Sequence, residues 1–321
     1  MHLNIPPLWA PRNPIKNRAM LAYNRANVGR GGEIYFSSWK TTSWCYEEDV
    51  FETETFQPKT GRITRVCLAR DKTEWALDPL VMLAAMLIVD PASGSIGDGD
   101  DDENFIFPTL HLLTYKSVAN LLNDYIKNIS KEGVEGLDQK AASHDIRFGA
   151  LADCQANDDL QLIYAIIKGG WQFQGDSTGM WYADKRPAMI EAARALAGYK
   201  NTKEVPASPD AMRCNLIDEN FEDDFHVTFE NFAASLFERL PFSKKGERNY
   251  NLRNVFLGAI IEKLPKIIAD LKVLKGDEFH QDSLERIVRS ELVRHQFTWE
   301  EFLGWSAKVI FFFNHAHTYA P

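Results

Sequence analysis

Six residues stand in order along this chain with side chains suited to chemistry on a phosphate: Arg30, Lys59, His144, Arg147, Trp171 and Tyr182. An arginine fork donates two hydrogen bonds to a phosphate and keeps its charge at any working pH. His144 and Arg147 lie three apart in Ser143-His144-Asp145-Ile146-Arg147. On a helix that spacing puts both on one face, so both can reach one phosphate. A lysine can give up a proton and a tyrosine hydroxyl can attack. Each residue alone has an ordinary explanation. Arg30 and Lys59 suit exposed turns, His144 a helix start after Ser143, Trp171 a core, and Tyr182 the start of an amphipathic helix.

Hydrophobic spacing drafts the elements that must hold these residues. A helix is expected over 16–27, with Met20, Leu21 and Tyr23 as its apolar contribution, ending just before Gly29-Arg30-Gly31-Gly32-Glu33. Alternation predicts strands over 49–56 and 62–68. Between them Pro58, Lys59, Thr60 and Gly61 have tight-turn chemistry, which puts Lys59 at or beside a hairpin tip. Asp78 and Pro79 suit the N-cap and first position of a helix running to about residue 89. Further helices are expected near 115–129, 144–155, 158–168 and 187–198. Beyond a candidate linker at 201–209 come helices near 228–240, 250–274, 281–295 and 299–313. Pro265 should kink or interrupt its helix. Thr298 and Glu301 are spaced as a capping box.

Composition narrows the class. The chain has 321 residues, 45% hydrophobic and 12% aromatic, enough for a packed core. Its longest apolar run, 80–89, is too short to span a bilayer. The first residues do not read as a secretory signal. Four cysteines stand far apart with no CxxC pair, so neither a zinc ribbon nor a disulfide framework is indicated. The expectation is a soluble, reduced, intracellular protein without a metal or other cofactor. The net charge of -9 argues against a nucleic-acid partner. The distribution qualifies that. Stretches 12–30 and 59–72 each carry five basic residues, against one acid in total, while acids gather at 90–103 and 219–224. A local positive face can steer an anion in an acidic protein.

The ordered pieces GRGGE, PKTGR, SHDIR, GGW and MWYAD together resemble the catalytic domain of the tyrosine recombinases, the phage-integrase family. The resemblance covers about residues 16–198. The GGW block and the C-terminal part resemble recombinases of eukaryotic mobile elements. The resemblance implies a mainly α fold with a small antiparallel hairpin or sheet (α+β), with a helical C-terminal extension. The domain expectation is an arm at 1–15, a catalytic domain at 16–200, the linker, and a helical region at 210–321. By resemblance, Tyr182 attacks a DNA phosphate, Arg30 and Arg147 hold its oxygens, and Lys59 protonates the leaving 5′ oxygen. His144 and Trp171 complete the site and Glu33 supports Arg30. Arg25, Arg62 and Arg65 are candidate DNA contacts. The implied partners are double-stranded DNA and further copies of the chain, and the implied compartment is the nucleus in a eukaryote, otherwise the cytoplasm.

Two features depart from the family pattern. Fewer than thirty residues precede Arg30, where the family carries a sizeable helical DNA-gripping domain. Phe148 stands where many members have a second histidine. Two other readings stay open: a DNA-binding or scaffold module whose catalysis has decayed, and a helical interaction protein with a chance motif match.

Overall fold

The computed structural model describes residues 14–59, 61–72, 74–90, 104–107, 110, 114–131, 140–170, 185–205, 223–238, 240, 251–275 and 283–315. Among these the chain is mainly helical, with ten α-helices and a small three-stranded sheet. It divides into two compact units. One comprises Met1–Thr42, Val50–Met82 and Asp102–Glu204, the other Ser43–Asp49, Leu83–Asp101 and Val205–Pro321. Residues 43–49 and 83–101 thus group with the C-terminal part. The expected arm lies almost wholly outside the described residues, as do residues 91–103 of the acidic stretch and the second half of the linker.

The first unit opens with α1 (Pro14–Asn27). Ala19, Met20, Ala22, Tyr23 and Ala26 are its buried face. The helix ends in a Schellman arrangement: the Gly29 amide donates to the Asn24 carbonyl and the Val28 amide to that of Arg25. Val28 occupies the left-handed position at φ 52, a conformation that costs a β-branched residue about 1–2 kcal/mol. Its buried side chain, packed with Ala150, Cys154, Leu160 and Leu196, offsets that strain.

The hairpin follows. Strand β1 (Ser43–Cys45), which groups with the second unit, is short; β2 (Val50–Gln57) pairs antiparallel with β3 (Arg62–Leu68), in a register that sets Gln57 opposite Arg62 and Phe51 opposite Leu68. Gly61 closes the turn at φ +66, donating its amide to the Gln57 carbonyl. Alternation holds only near the tip. From Val50 to Thr53 both faces of β2 are buried.

Helix α2 (Pro79–Val89) starts as expected, with Asp78 Oδ1 accepting from the amides of Leu80 and Val81. Then come α3 (Tyr115–Lys131), α4 (Ser143–Gln155), α5 (Leu162–Lys168) and α6 (Arg186–Leu196). The expected helix over 158–168 begins four residues late. Asn157 is the reason: its side chain accepts the Asp159 amide and donates to the Tyr199 carbonyl, holding a turn in place of a first helical turn.

The second unit contains α7 (Asp223–Leu236), α8 (Leu252–Lys275), α9 (Ser283–Arg294) and α10 (Trp299–His315). Its core is aromatic. Trp305 meets Phe229 and Phe297 edge-on, with ring centroids 5.2 and 5.0 Å apart. Thr298 and Glu301 form the expected capping box: the Glu301 carboxylate accepts the Thr298 amide, and Thr298 Oγ1 accepts the Glu301 amide. Pro265 does not interrupt α8, which runs continuously from Leu252 to Lys275. The buried apolar residues on either side of it, Ile260, Ile261, Leu264 and Ile267, stabilise the helix against the one lost hydrogen bond.

Candidate functional site

A cleft of about 660 Å³ opens on the first unit. One wall is the segment after α1, with Arg30, Gly31, Gly32 and Glu33; the hairpin turn adds Pro58 and Lys59. Helix α3 contributes Lys116, Ala119 and Asn120, and the start of α4 contributes Ser143 and His144. Three sequence-predicted residues, Arg30, Lys59 and His144, therefore line one cleft with Glu33, although they come from three separated stretches of chain.

Local chemistry explains each placement. Arg30 and Glu33 lock together: Nη1 meets Oε1 at 2.8 Å, and Glu33 Oε2 accepts the Arg30 amide. Glu33 is buried, and its carbonyl accepts from Thr55 Oγ1 on β2, which ties this wall to the hairpin. Gly31 sits in a tight place: a Cβ there would stand 3.1 Å from Ser143 Oγ and 3.2 Å from Leu122 Cδ1, so those side chains would have to shift. The start of α4 is fixed from two sides. Asn123 of α3 accepts the Ser143 amide, and the Asp145 carboxylate accepts the Ala142 amide. His144 stays exposed at this helix start, its ring 4.5 Å from that of Phe148, edge to face. Lys59 is exposed at the hairpin tip.

Arg147 takes a different position. It is 2% exposed, does not line the cleft, and donates from Nη2 to the Gly169 carbonyl. Burial, and then the neighbouring Arg30, push its guanidinium down to about 10, with Glu33 acting the other way. It remains charged at neutral pH, beneath the cleft and within electrostatic reach of Arg30 and Glu33.

Behind the hairpin the packing is tight. Lys168 is buried and donates from Nζ to the Cys67 carbonyl at 2.5 Å. Burial lowers its pKa to about 8, with the Cys67 and Cys154 thiols opposing the shift. Both thiols are themselves raised to about 11 by burial. Gly170, at φ +65, lies where a Cβ would meet Gln57 Nε2 at 2.5 Å. Trp171 and Tyr182 lie outside the described residues.

The basic stretches divide in two. Lys16 is buried, Arg18 lies over the Trp75 ring, and Arg25 pairs with Asp153 at 2.8 Å while donating to the Leu196 carbonyl. Arg25 lines a separate, far smaller cavity. Arg62 and Arg65 are exposed on β3, next to Ile63, which is 71% exposed. Sequence reasoning passed over Lys116 and Asn120. The available signal was a lysine in the first turn of an amphipathic helix with no acid in that turn, set against the helix dipole.

Among the described residues, no group of three or more His, Cys, Asp or Glu side chains is placed to hold a metal ion. No helix among them is long and apolar enough to cross a membrane. Comparison with protein-family models, with curated proteins and with solved structures finds no match.

Proposed function

We propose that this chain cuts and rejoins DNA strands through a covalent phosphotyrosyl intermediate, as the resemblance to tyrosine recombinases implies. The observation that carries the reading is the cleft itself. It gathers Arg30, Lys59 and His144, three members of the ordered motif, with Glu33 as the fourth matching position.

In this reading Tyr182 Oη attacks the scissile phosphorus. The Tyr–O–P bond forms, the P–O5′ bond breaks, and the phenolic proton passes towards His144. Lys59 gives the 5′ oxygen its proton as general acid. Arg30, preorganised by Glu33, donates to the non-bridging oxygens, where charge grows in the transition state. Arg147 adds positive potential from below rather than a direct contact. Rejoining is the reverse attack by a 5′ hydroxyl, so phosphodiester energy is conserved. Recombination would use several copies of the chain on double-stranded DNA.

One observation favours the second reading, a DNA-binding module with decayed catalysis: the Arg147 side chain is engaged with the Gly169 carbonyl rather than exposed in the cleft. Relaxation of supercoiled plasmid by the full chain separates the two. The recombinase reading expects relaxation, slowed at least a hundredfold in Lys59→Ala and absent in Tyr182→Phe. Plasmid binding without relaxation selects the decayed module.

A further inference from the structure

The charge that makes the cleft attract an anion does not come mainly from the motif arginine. Arg30 is paired at 2.8 Å with Glu33, so this wall is close to neutral as a unit. The remaining full charges lining the cleft are Lys59 on the hairpin and Lys116 on α3. Neither ammonium has an acidic partner among the described residues. Lys116 is exposed, and Asn120 follows it by one helical turn on the same lining face. Below them Val118, Leu122 and Ile126 are buried, and Asn123 holds the start of α4, so this wall is anchored rather than loose. Lys116 also breaks a local rule. A cation in the first turn opposes the helix dipole, and no acid in that turn relieves it.

We infer that Lys116 and Asn120 form a second phosphate subsite in the cleft, which holds a DNA backbone phosphate beside the one at Arg30. This rests on the proposed DNA reading and adds a wall to it. The lysine supplies the charge and the amide a neutral donor, contacts that position a strand without reading its sequence. With Lys59 also lining the cleft, Lys116 gives a strand a second cationic contact besides the one at the reacting phosphate.

The test is equilibrium binding of the full chain to a short duplex of arbitrary sequence, over a series of salt concentrations. Each lysine–phosphate contact contributes about 0.9 to the slope of log affinity against log salt. Lys116→Ala should flatten the slope by about that amount and weaken binding about eightfold at 0.1 M salt. Lys116→Arg should retain both, and Asn120→Ala should weaken binding without changing the slope. Lys127→Ala, exposed on α3 but away from the cleft, is the control. If Lys116→Ala matches Lys127→Ala while the unmodified chain binds and relaxes DNA, the subsite is wrong and the proposed function survives. If the unmodified chain shows no salt-dependent DNA binding, both fall.

Discussion

Cations occupy two regions of the first unit, and their fates differ. In the cleft, Lys59 and Lys116 stand exposed. Behind it, Arg147 and Lys168 are buried, and each donates to a backbone carbonyl, Gly169 and Cys67 respectively. The buried pair is held against desolvation, which lowers both pKa values. The exposed pair lines the cleft. Residue type alone does not separate the two fates; the neighbours do.

Substitution should expose that contrast. Arg147→Ala removes a buried stem and leaves the Gly169 carbonyl unsatisfied, so stability should fall by about 3 kcal/mol. Lys59→Ala at the exposed tip should stay within about 0.5 kcal/mol. Urea midpoints for the two variants measure the difference directly. Equal shifts would erase the distinction between the regions.

Glycines report the same contrast more gently. Gly170 and Gly61 both have positive φ, but a Cβ on Gly170 would collide with Gln57, whereas one on Gly61 meets nothing within 4 Å. Gly170→Ala should cost about 2 kcal/mol or more, and Gly61→Ala about 1 kcal/mol, the conformational part alone. Thermal melts of the two variants should separate in that order.

Lys168 gives the smallest effect and a defined sign. Its folded pKa, about 8, lies below its ordinary value of 10.5, so the unfolded chain binds more protons between them. Stability should therefore rise with pH from about 8 to 9, by about 1 kcal/mol. Above 9 the raised thiols of Cys67 and Cys154 reverse the trend, because there the folded state holds the extra protons. Lys168→Met should abolish the rise and leave the fall. Denaturation under reducing conditions across pH 7.5 to 10.5 checks both limbs.

Much of the scaffold was legible in the sequence because local chemistry decided it. Asp78 with Pro79, Thr298 with Glu301, and the PKTG turn are short-range signals, and all three form as read. Of the two outcomes open at Pro265, interruption does not occur, because apolar burial along α8 outweighs one missing hydrogen bond. The 158–168 helix misled because an Asn side chain competes for backbone groups. In the site, motif order brought Arg30, Lys59 and His144 to one cleft, but it could not tell that Arg147 would be buried. Its hydrogen-bond partner, the Gly169 carbonyl, comes from a separate segment of chain. Lys116 was passed over because the residues that line the cleft with it come from distant stretches of chain.

The proposed reaction turns on a covalent bond between Tyr182 and DNA. The direct measurement is to mix the full chain with nicked duplexes of random sequence, denature, digest, and map any nucleotide-bearing peptide by mass spectrometry. The expected result is a denaturant-resistant adduct joining the Tyr182 side chain to a 3′ phosphate, lost in Tyr182→Phe. An adduct on another residue, or one that persists in Tyr182→Phe, would contradict it.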